Sequence, residues 1–180
     1  NGNKIGALLA YYIFSQRYAL NNLPENPVMV KSIVTGDLSR AIAKKYGIET
    51  VETLTGFKNI CGKANKYERT KEKTYVFGYE ESIGFCYGTF VRDKDAVSAS
   101  MMIVEMAAYF KKQGKTLLDV LNDIYAEFGF YNERQVSLEL EGVEGQERIG
   151  RMMEEFREHP LTTVGAMELE KVIDFNDGYL

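Results

Sequence analysis

The sequence has no tryptophan, one histidine and two cysteines among its 180 residues, and this scarcity argues against several kinds of site. Cys61 and Cys86 belong to no CxxC pair and have no histidine nearby, so neither a zinc site nor a disulfide framework is predicted. We expect two buried, reduced thiols instead. His159 has no second histidine for a metal cluster and no partner for a nucleophile–base pair. The sequence therefore predicts no metal-binding residue.

Long apolar runs and an excess of positive charge are also missing. The longest apolar stretch, Ile5 to Phe14, is half of the roughly 20 residues that a membrane-spanning helix needs. No basic region or cleavage site marks it as a signal peptide. The net charge is -4, which does not suit a general nucleic-acid binder. We therefore expect a cytoplasmic protein that binds neither membranes nor nucleic acids.

The length and composition suit one globular domain, or one domain with a short appendage. The chain is 45% hydrophobic and 27% charged, as ordinary soluble domains are. A chain of this size can bury about two-thirds of its unfolded surface in one core. It begins at Asn1 rather than at Met and enters a helical pattern directly, which we interpret as the start of an excised segment.

The first half of the chain alternates amphipathic segments with short runs of β-branched residues. Helices are predicted at 5–13, 38–46 and 57–67. Strands are predicted at 28–34, 48–54 and 74–78. Gly47 is placed to end the second helix in a left-handed cap. This order of strands and helices predicts a largely parallel sheet.

The second half begins with a strongly apolar helix. Ala96 to Phe110 is apolar on almost every face, including Val97, Met101, Val104 and Ala108, which predicts burial deep between layers. The next helix extends to Phe128 and starts at Thr116 and Asp119, which resemble a capping box.

Apolar and polar residues alternate from Asn132 to Leu140, and this pattern predicts a half-buried antiparallel edge strand. A polar helix near 146–158 and a terminal strand or hairpin within 161–180 follow. The predicted fold class is α/β, with three αβα layers around a mostly parallel, mixed four-stranded sheet.

The most unusual segment lies at the end of the third predicted strand. There an apolar strand leads directly into Glu80, Glu81 and Ser82, with glycines on both sides. Ligands of open parallel sheets bind beyond the carboxyl ends of the strands, so a binding crevice is predicted here. Glu80 and Ser82 would point the same way on an extended backbone and could hold adjacent ring hydroxyls. The residues alone leave a solvated acidic turn as an equal alternative.

Two further patches lie at predicted element ends. In Thr55-Gly56-Phe57-Lys58, the glycine lets the backbone approach a ligand and Lys58 supplies a positive charge. Arg92 and Lys94 precede the apolar helix, whose N-terminus favours anions such as phosphate. The alternative, which the residues favour, is that Asp95 caps this helix and the basic side chains are solvated.

Together these motifs resemble the third domain of the α-D-phosphohexomutases, the family of phosphoglucomutases and phosphomannomutases. The resemblance rests on the order and spacing of TGFK, of FGYEES with a following glycine, and of VRDKDAV. It extends over about residues 1–158, because NGNKIGALL and the segment from VKSIVTG to TGFK also match the family.

The resemblance implies a role for each candidate site residue. Glu80 and Ser82 would hold the 3- and 4-hydroxyls of the sugar, with Glu81 at the variable middle position. The substrate side of the crevice would be lined by Thr55, Gly56 and Lys58. The phosphate would be approached by Lys94 and Arg92. Tyr79, between the glycine and the first glutamate, is a form seen in bacterial α-phosphoglucomutases and in the phosphoglucomutase/phosphopentomutase group.

The family's other motifs are missing from this sequence. Its phosphoserine loop, aspartate-rich magnesium loop and C-terminal phosphate clamp belong to domains 1, 2 and 4, so no catalytic residue is predicted here. Mg2+ and a glucose 1,6-bisphosphate-type activator would act in the full-length parent. We expect residues 1–27 at the junction with a preceding domain, 28–160 as the sugar-binding domain, and 161–180 leading toward domain 4.

The resemblance predicts the sugar-recognition domain of an isomerase. The parent would interconvert sugar 1-phosphates and 6-phosphates through a phosphoserine and a bisphosphate intermediate, with phosphoglucomutase as the first choice, and the fragment alone would be inactive. Phosphomannomutase, phosphopentomutase and a stand-alone, non-catalytic sugar-phosphate-binding module are the alternatives. The expected ligand is a hexose or pentose phosphate. A nucleotide-binding domain is disfavoured because no GxGxxG or GxxxxGK[ST] loop follows a strand.

Overall fold

The structure is a computed structural model, and it describes residues 1–134 and 137–175. The chain forms two compact units, Asn1–Glu133 and Arg134–Leu180, and each is described by itself. The helices of the first unit are α1 (Gly2–Ala19), α2 (Leu38–Lys45), α3 (Phe57–Thr70), α4 (Ala96–Lys112) and α5 (Leu117–Phe128). Its strands are β1 (Pro27–Ser32), β2 (Glu49–Thr53), β3 (Thr74–Glu80) and β4 (Gly84–Tyr87). The second unit contains α6 (Gly142–Glu158), β5 (Thr163–Val164) and β6 (Met167–Glu168).

The strands of the first unit form one sheet in the order β2-β1-β3-β4. Strand β1 pairs in parallel with β2 and with β3, while β4 runs antiparallel to β3. Helices α2 and α3 make the two crossovers that parallel pairing requires. The predicted class, a mostly parallel, mixed four-stranded sheet, is confirmed.

Helices cover both faces of this sheet. Buried residues of β1, one of the two central strands, alternate between two apolar clusters. Met29 belongs to the cluster that includes α1, α2, α4 and α5, whereas Val28 and Val30 belong to the cluster that includes α3. This alternation follows the two-residue repeat of a strand. The result is the predicted three layers, with the carboxyl ends of β1, β2 and β3 at one edge.

Residues close in sequence set the helix ends. Thr116 and Asp119 form the predicted capping box, in which Oγ1 of Thr116 accepts from the Asp119 N–H at 3.2 Å and Asp119 accepts from the Thr116 N–H at 2.8 Å. Gly47 follows α2 with a φ of 69°, in the left-handed region, as expected of a helix-ending glycine.

The fourth strand of the sheet is not the one predicted. No strand forms at 132–134 or 137–140, while Gln135 and Val136 lie outside the described residues. The antiparallel partner of β3 is β4 instead, which follows after a turn of three residues. A connection of three residues costs little loop-closure entropy, which favours β4 over a more distant segment as the partner of β3.

The prediction that α4 is buried on almost every face is wrong. Its buried residues lie on one side and are Ala99, Met102, Met106 and Phe110. The other side is exposed, with Val97 at 82%, Met101 at 56% and Val104 at 69%. Helix α4 packs mainly against β4, α1 and α5, because it lies in an outer layer of the first unit.

The predictions of buried free thiols, a polar helix and a terminal strand or hairpin are confirmed. Both cysteines are free and buried. The predicted polar helix is α6, which begins at Gly142, and β5 and β6 form the predicted terminal hairpin. Among the described residues, no helix has the length and apolar character that crossing a membrane would require.

Candidate functional site

Polar residues gather at the carboxyl edge of the sheet, where β3 turns back into β4. Glu80 ends β3 and pairs with Gly84, the first residue of β4. We call residues 80–84 the acidic turn. Ile83 has a φ of 66°, a left-handed conformation that strains a β-branched side chain. Such strain persists only where surrounding contacts fix the backbone, so the acidic turn needs anchors.

One anchor joins Glu80 to the loop between β2 and α3. Glu80 is 8% exposed, and its Oε1 accepts a hydrogen bond from the backbone N–H of Gly56 at 2.5 Å. Gly56 is the N-cap of α3 and has a φ of 105°, which glycine adopts readily. A carboxylate near a helix N-terminus is also favoured by the helix dipole. The structure thus brings together two of the predicted site residues.

Lys94 lies beside Phe57 and Gly84. We call the region formed by these three residues, Gly56 and Glu80 the corner. Nζ of Lys94 is 5.2 Å from the centre of the Phe57 ring, within cation–π distance. A side-chain carbon on Gly84 would lie 3.1 Å from Cγ of Lys94 and 2.4 Å from the Phe57 ring, so glycine is required there. The hydrogen bond and charge of Asp93 raise the pKa of Lys94, and the charge of Glu80 raises it further.

Three other predicted residues are open to solvent. Thr55, Lys58 and Ser82 are all exposed. In the part of the chain that the structure describes, the Ser82 side chain forms no hydrogen bond and Lys58 forms no ion pair. No hydrogen bond joins these three side chains to Glu80 within the same residues. Their hydroxyl and ammonium groups are accessible to a ligand.

The segment before α4 adopts the capping arrangement that the sequence left open. Oδ1 of Asp95 accepts from the backbone N–H groups of Val97 and Ser98 at 3.1 and 3.3 Å. Arg92 is paired with Glu68. A phosphate would therefore meet side chains here rather than free helix amides.

A second anchor holds Glu81, a residue that sequence reasoning left without a role. Its Oε2 lies 3.2 Å from both Oγ of Ser32 and Oγ1 of Thr35, which donate to it. The backbone N–H of Glu81 donates to Oγ1 of Thr35 at 3.2 Å. Ser32 and Thr35 are 0% and 3% exposed. Buried hydroxyls after an apolar strand were the only signal in the sequence.

Lys31, on β1, was also missed. It is 1% exposed, and its Nζ donates to the backbone oxygen of Thr35 at 2.6 Å and pairs with Asp37 at 3.0 Å and Glu52 at 2.9 Å. Burial alone would raise the pKa values of both carboxyls, but bonds from Arg40 and Lys31 outweigh burial and lower them. The three contacts of the Lys31 ammonium group hold the turn after β1 in place.

The corner offers hydrogen-bonding groups and positive charges that suit a polyol carrying an anionic group. Glu80 and Glu81 are hydrogen-bonded to different loops, each through one oxygen. Within the described residues, the one cluster of three candidate metal ligands is Glu155, Glu158 and His159, exposed at the end of α6. Exposed groups of this kind are ordinary surface features.

Comparison with known proteins identifies a family and several relatives. The family model described as phosphoglucomutase/phosphomannomutase, alpha/beta/alpha domain III, matches residues 1–128. A phosphoglucomutase of Staphylococcus epidermidis is 36% identical over 178 residues, which is 99% of this chain and 32% of that protein. That of Staphylococcus haemolyticus is 34% identical over 174 residues, covering 97% and 31%. The chain spans about a third of the length of these curated relatives.

Two solved structures share the fold. A candidate phosphomannomutase from Thermus thermophilus aligns with a TM-score of 0.58 and 23% identity, over 72% of this chain and 26% of that one. The phosphoprotein pp63/parafusin from Paramecium, also named as a phosphoglucomutase, aligns with a TM-score of 0.52 and 20% identity, over 72% and 21%. At these identities the likeness shows the fold alone.

Proposed function

The chain belongs to the phosphoglucomutase/phosphomannomutase family, as its α/β/α domain III, and from this we propose that it recognises the sugar in a phosphoglucomutase. The parent enzyme would be an isomerase that interconverts the 1- and 6-phosphates of glucose. The observation that carries the proposal is the hydrogen bond between Gly56 and Glu80, because it joins the two predicted substrate loops at the carboxyl edge of the sheet. The relatives named phosphoglucomutase favour glucose over mannose or a pentose.

Glu80 and Ser82 would grip two ring hydroxyls. The Gly56 N–H occupies one oxygen of Glu80, which leaves the other oxygen to accept from a sugar hydroxyl. Ser82 is exposed two residues later and both donates and accepts. Each hydrogen bond to the charged carboxylate would contribute about 1.5 to 3 kcal/mol. The pair would hold the sugar while it presents either phosphate position to the reacting groups.

The phosphate would be met by ammonium groups at the rim of this corner. Lys58 and Lys94 are both exposed, and Lys94 approaches the acidic turn through Phe57. Their point charges suit a phosphate. Arg92 would take part only after releasing Glu68.

The rest of the reaction would depend on parts outside this chain. We propose that the parent supplies domains 1, 2 and 4, with a phosphoserine and a glucose 1,6-bisphosphate-type activator, in the cytoplasm. The threefold greater length of the relatives supports this. Mg2+ would stabilise the transferring phosphoryl group. The magnesium ligands would lie in the aspartate-rich loop of the parent, as the family resemblance implies.

Steady-state kinetics of the full-length protein test this function. We expect Glu80→Gln and Ser82→Ala each to lower kcat/KM by roughly 10- to 100-fold, as the loss of one or two such hydrogen bonds predicts. Glu25→Gln, on an exposed residue before β1, serves as the control and should leave the kinetics unchanged. The isolated chain should show no turnover. Wild-type kinetics in both site variants, or turnover by the isolated chain, would refute the proposal.

A further inference from the structure

Resting on this proposed function, we propose that Glu81 is the positioning residue of the site. The hydroxyls of Ser32 and Thr35 hold its carboxylate, and this anchor places Glu80 and Ser82 for the sugar. Glu81 itself contacts no substrate in this proposal. Its role is to fix the acidic turn to the end of β1.

The bonds between Thr35 and Glu81 are reciprocal. The Glu81 backbone N–H donates to Oγ1 of Thr35, and that hydroxyl donates to Oε2 of Glu81, both at 3.2 Å. The single Thr35 hydroxyl thus fixes both the backbone and the side chain of Glu81. Because Glu81 lies between Glu80 and Ser82, its backbone position decides where both neighbours lie.

Counting hydrogens shows why an ionised carboxylate fits this place. Ser32 and Thr35 each have one hydroxyl hydrogen, yet their oxygens lie 2.7 Å apart and both lie 3.2 Å from Oε2 of Glu81. An ionised carboxylate only accepts, so it can take either or both hydrogens. A glutamine oxygen could replace it in the same position, whereas an alanine would leave one of the two buried hydroxyls short of an acceptor, since the other can donate to its neighbour.

The turn after β1, which contains Thr35, is itself held in place by Lys31. Lys31 donates to the backbone oxygen of Thr35 at 2.6 Å, and its ion pair with Asp37 at 3.0 Å spans the same turn. With 1% exposure, Lys31 has little freedom to move. The Thr35 hydroxyl is therefore presented to Glu81 in one place.

Helix α1 closes the other side of the anchor. A side-chain carbon on Gly2 would lie 2.1 Å from the backbone oxygen of Glu81 and 2.9 Å from the backbone nitrogen of Ile83, so the start of α1 lies directly against the acidic turn. Oδ1 of Asn3 accepts from the backbone N–H of Gly36 at 3.0 Å. The acidic turn and the turn after β1 thus share a single support.

The backbone of Ile83 is strained, and the hydrogen bonds to Glu81 hold it in place. The φ of 66° at Ile83 is unfavourable for a β-branched residue, and the side chain is 65% exposed, so packing of this side chain does not offset the cost. Without the bonds to Glu81, the backbone would be free to leave this conformation. Ser82 lies between the anchor and the strained residue and would move with them.

Kinetics of the full-length protein separate positioning from folding. We expect Glu81→Ala to lower kcat/KM about tenfold, mainly through a higher KM, since the grip on the sugar is made in both ground and transition states. Glu81→Gln should stay within about threefold of wild type, because its amide oxygen still accepts. Glu25→Ala is the matched control. Thermal unfolding of each variant reports whether the domain still folds.

A double-mutant cycle makes the test specific. Thr35→Val should reproduce the direction of Glu81→Ala, and the two effects should be less than additive in the double variant, because both remove the bond from the Thr35 hydroxyl to the Glu81 carboxylate. Thr35→Val also removes the acceptor of the Glu81 N–H, so the double variant should lose somewhat more than Glu81→Ala. If Glu81→Ala does not fold, Thr35→Val and Ser32→Ala carry the test.

The outcomes distinguish this inference from the function on which it rests. If Glu80→Gln and Ser82→Ala lose activity while folded Glu81→Ala keeps wild-type kinetics, the positioning role is wrong and the sugar site stands. Equal losses in Glu81→Gln and Glu81→Ala, or additive effects of Glu81→Ala and Thr35→Val, would also overturn it. If Glu80→Gln and Ser82→Ala change nothing, the proposed function fails and the inference fails with it.

Discussion

At the scale of single residues, two adjacent carboxylates serve different parts of the fold. Glu80 accepts from Gly56 in the loop after β2, while Glu81 accepts from Ser32 and Thr35 at the end of β1. Successive residues at the end of a strand point to opposite faces, so neighbours in sequence meet different partners. Each carboxylate is thereby fixed, through one of its oxygens, to a different part of the fold.

Cys61 allows a prediction about pH and reactivity at this scale. Burial is the main cause that raises the pKa of its thiol from 9.0 to about 12. Since the thiolate is the reactive form, we expect Cys61 to resist iodoacetamide at pH 8 in the folded chain and to react readily in urea. Mass spectrometry of a Cys86→Ser variant reads Cys61 alone. Equal labelling rates in the folded and unfolded chains would contradict the prediction.

The raised pKa of Cys61 also makes the stability of the folded chain depend on pH. Above pH 9 the unfolded chain loses the Cys61 proton, whereas the folded chain keeps it until the pH reaches about 12. The contribution of this thiol to the free energy of unfolding is therefore complete below pH 9 and decreases as the pH rises above it.

At the scale of elements, α4 shows how a helix with two apolar faces uses only one. Ala99, Met102 and Met106 face the core, while Val97 and Val104 face solvent. The sequence pattern cannot distinguish the two faces, because both are apolar at helical spacing. The position of α4 in an outer layer decides which face is buried.

This asymmetry predicts unequal effects of two similar substitutions. Met106 is 0% exposed, and Met106→Ala should lower the free energy of unfolding by about 2 to 5 kcal/mol through lost burial and a cavity. Val104 is 69% exposed, and Val104→Ala should change it by less than about 0.5 kcal/mol. Urea denaturation of the two variants measures both values. Similar losses would show that the exposed face is covered in solution.

At the scale of the whole molecule, the chain divides into unequal parts. Both clusters of buried apolar residues lie within residues 7–124, inside the first unit. In the second unit, α6 keeps only Gly145 buried and exposes Val143 and Phe156. The first unit therefore contains the interior that stabilises the fold and all the residues of the candidate site.

A truncation tests this division. A chain that ends at Glu133, the boundary of the first unit, should unfold cooperatively. Its Tm should lie within about 4 °C of the longer chain, which corresponds to roughly 1 kcal/mol for a domain of this size. Circular dichroism during heating measures both transitions. Loss of the cooperative transition would show that residues 134–180 contribute to the core.

The sequence by itself determined the type and order of most elements, because the signals for these are local. Hydrophobic periodicity predicted the first three strands and all six helices. Thr116 and Gly47 predicted helix ends through contacts with near neighbours. The carboxylates and glycines after β3 marked the acidic turn as a candidate binding edge, and the family resemblance supplied the ligand.

Only the tertiary structure decided which distant residues meet. It paired β4 with β3, and it brought Glu81 to Ser32 and Thr35, which are 49 and 46 residues away in sequence. The partner of a hydroxyl or a carboxylate cannot be predicted from sequence periodicity. Such partners are chosen by the packing of whole elements, because a buried polar group must find whatever acceptor or donor the fold places within reach.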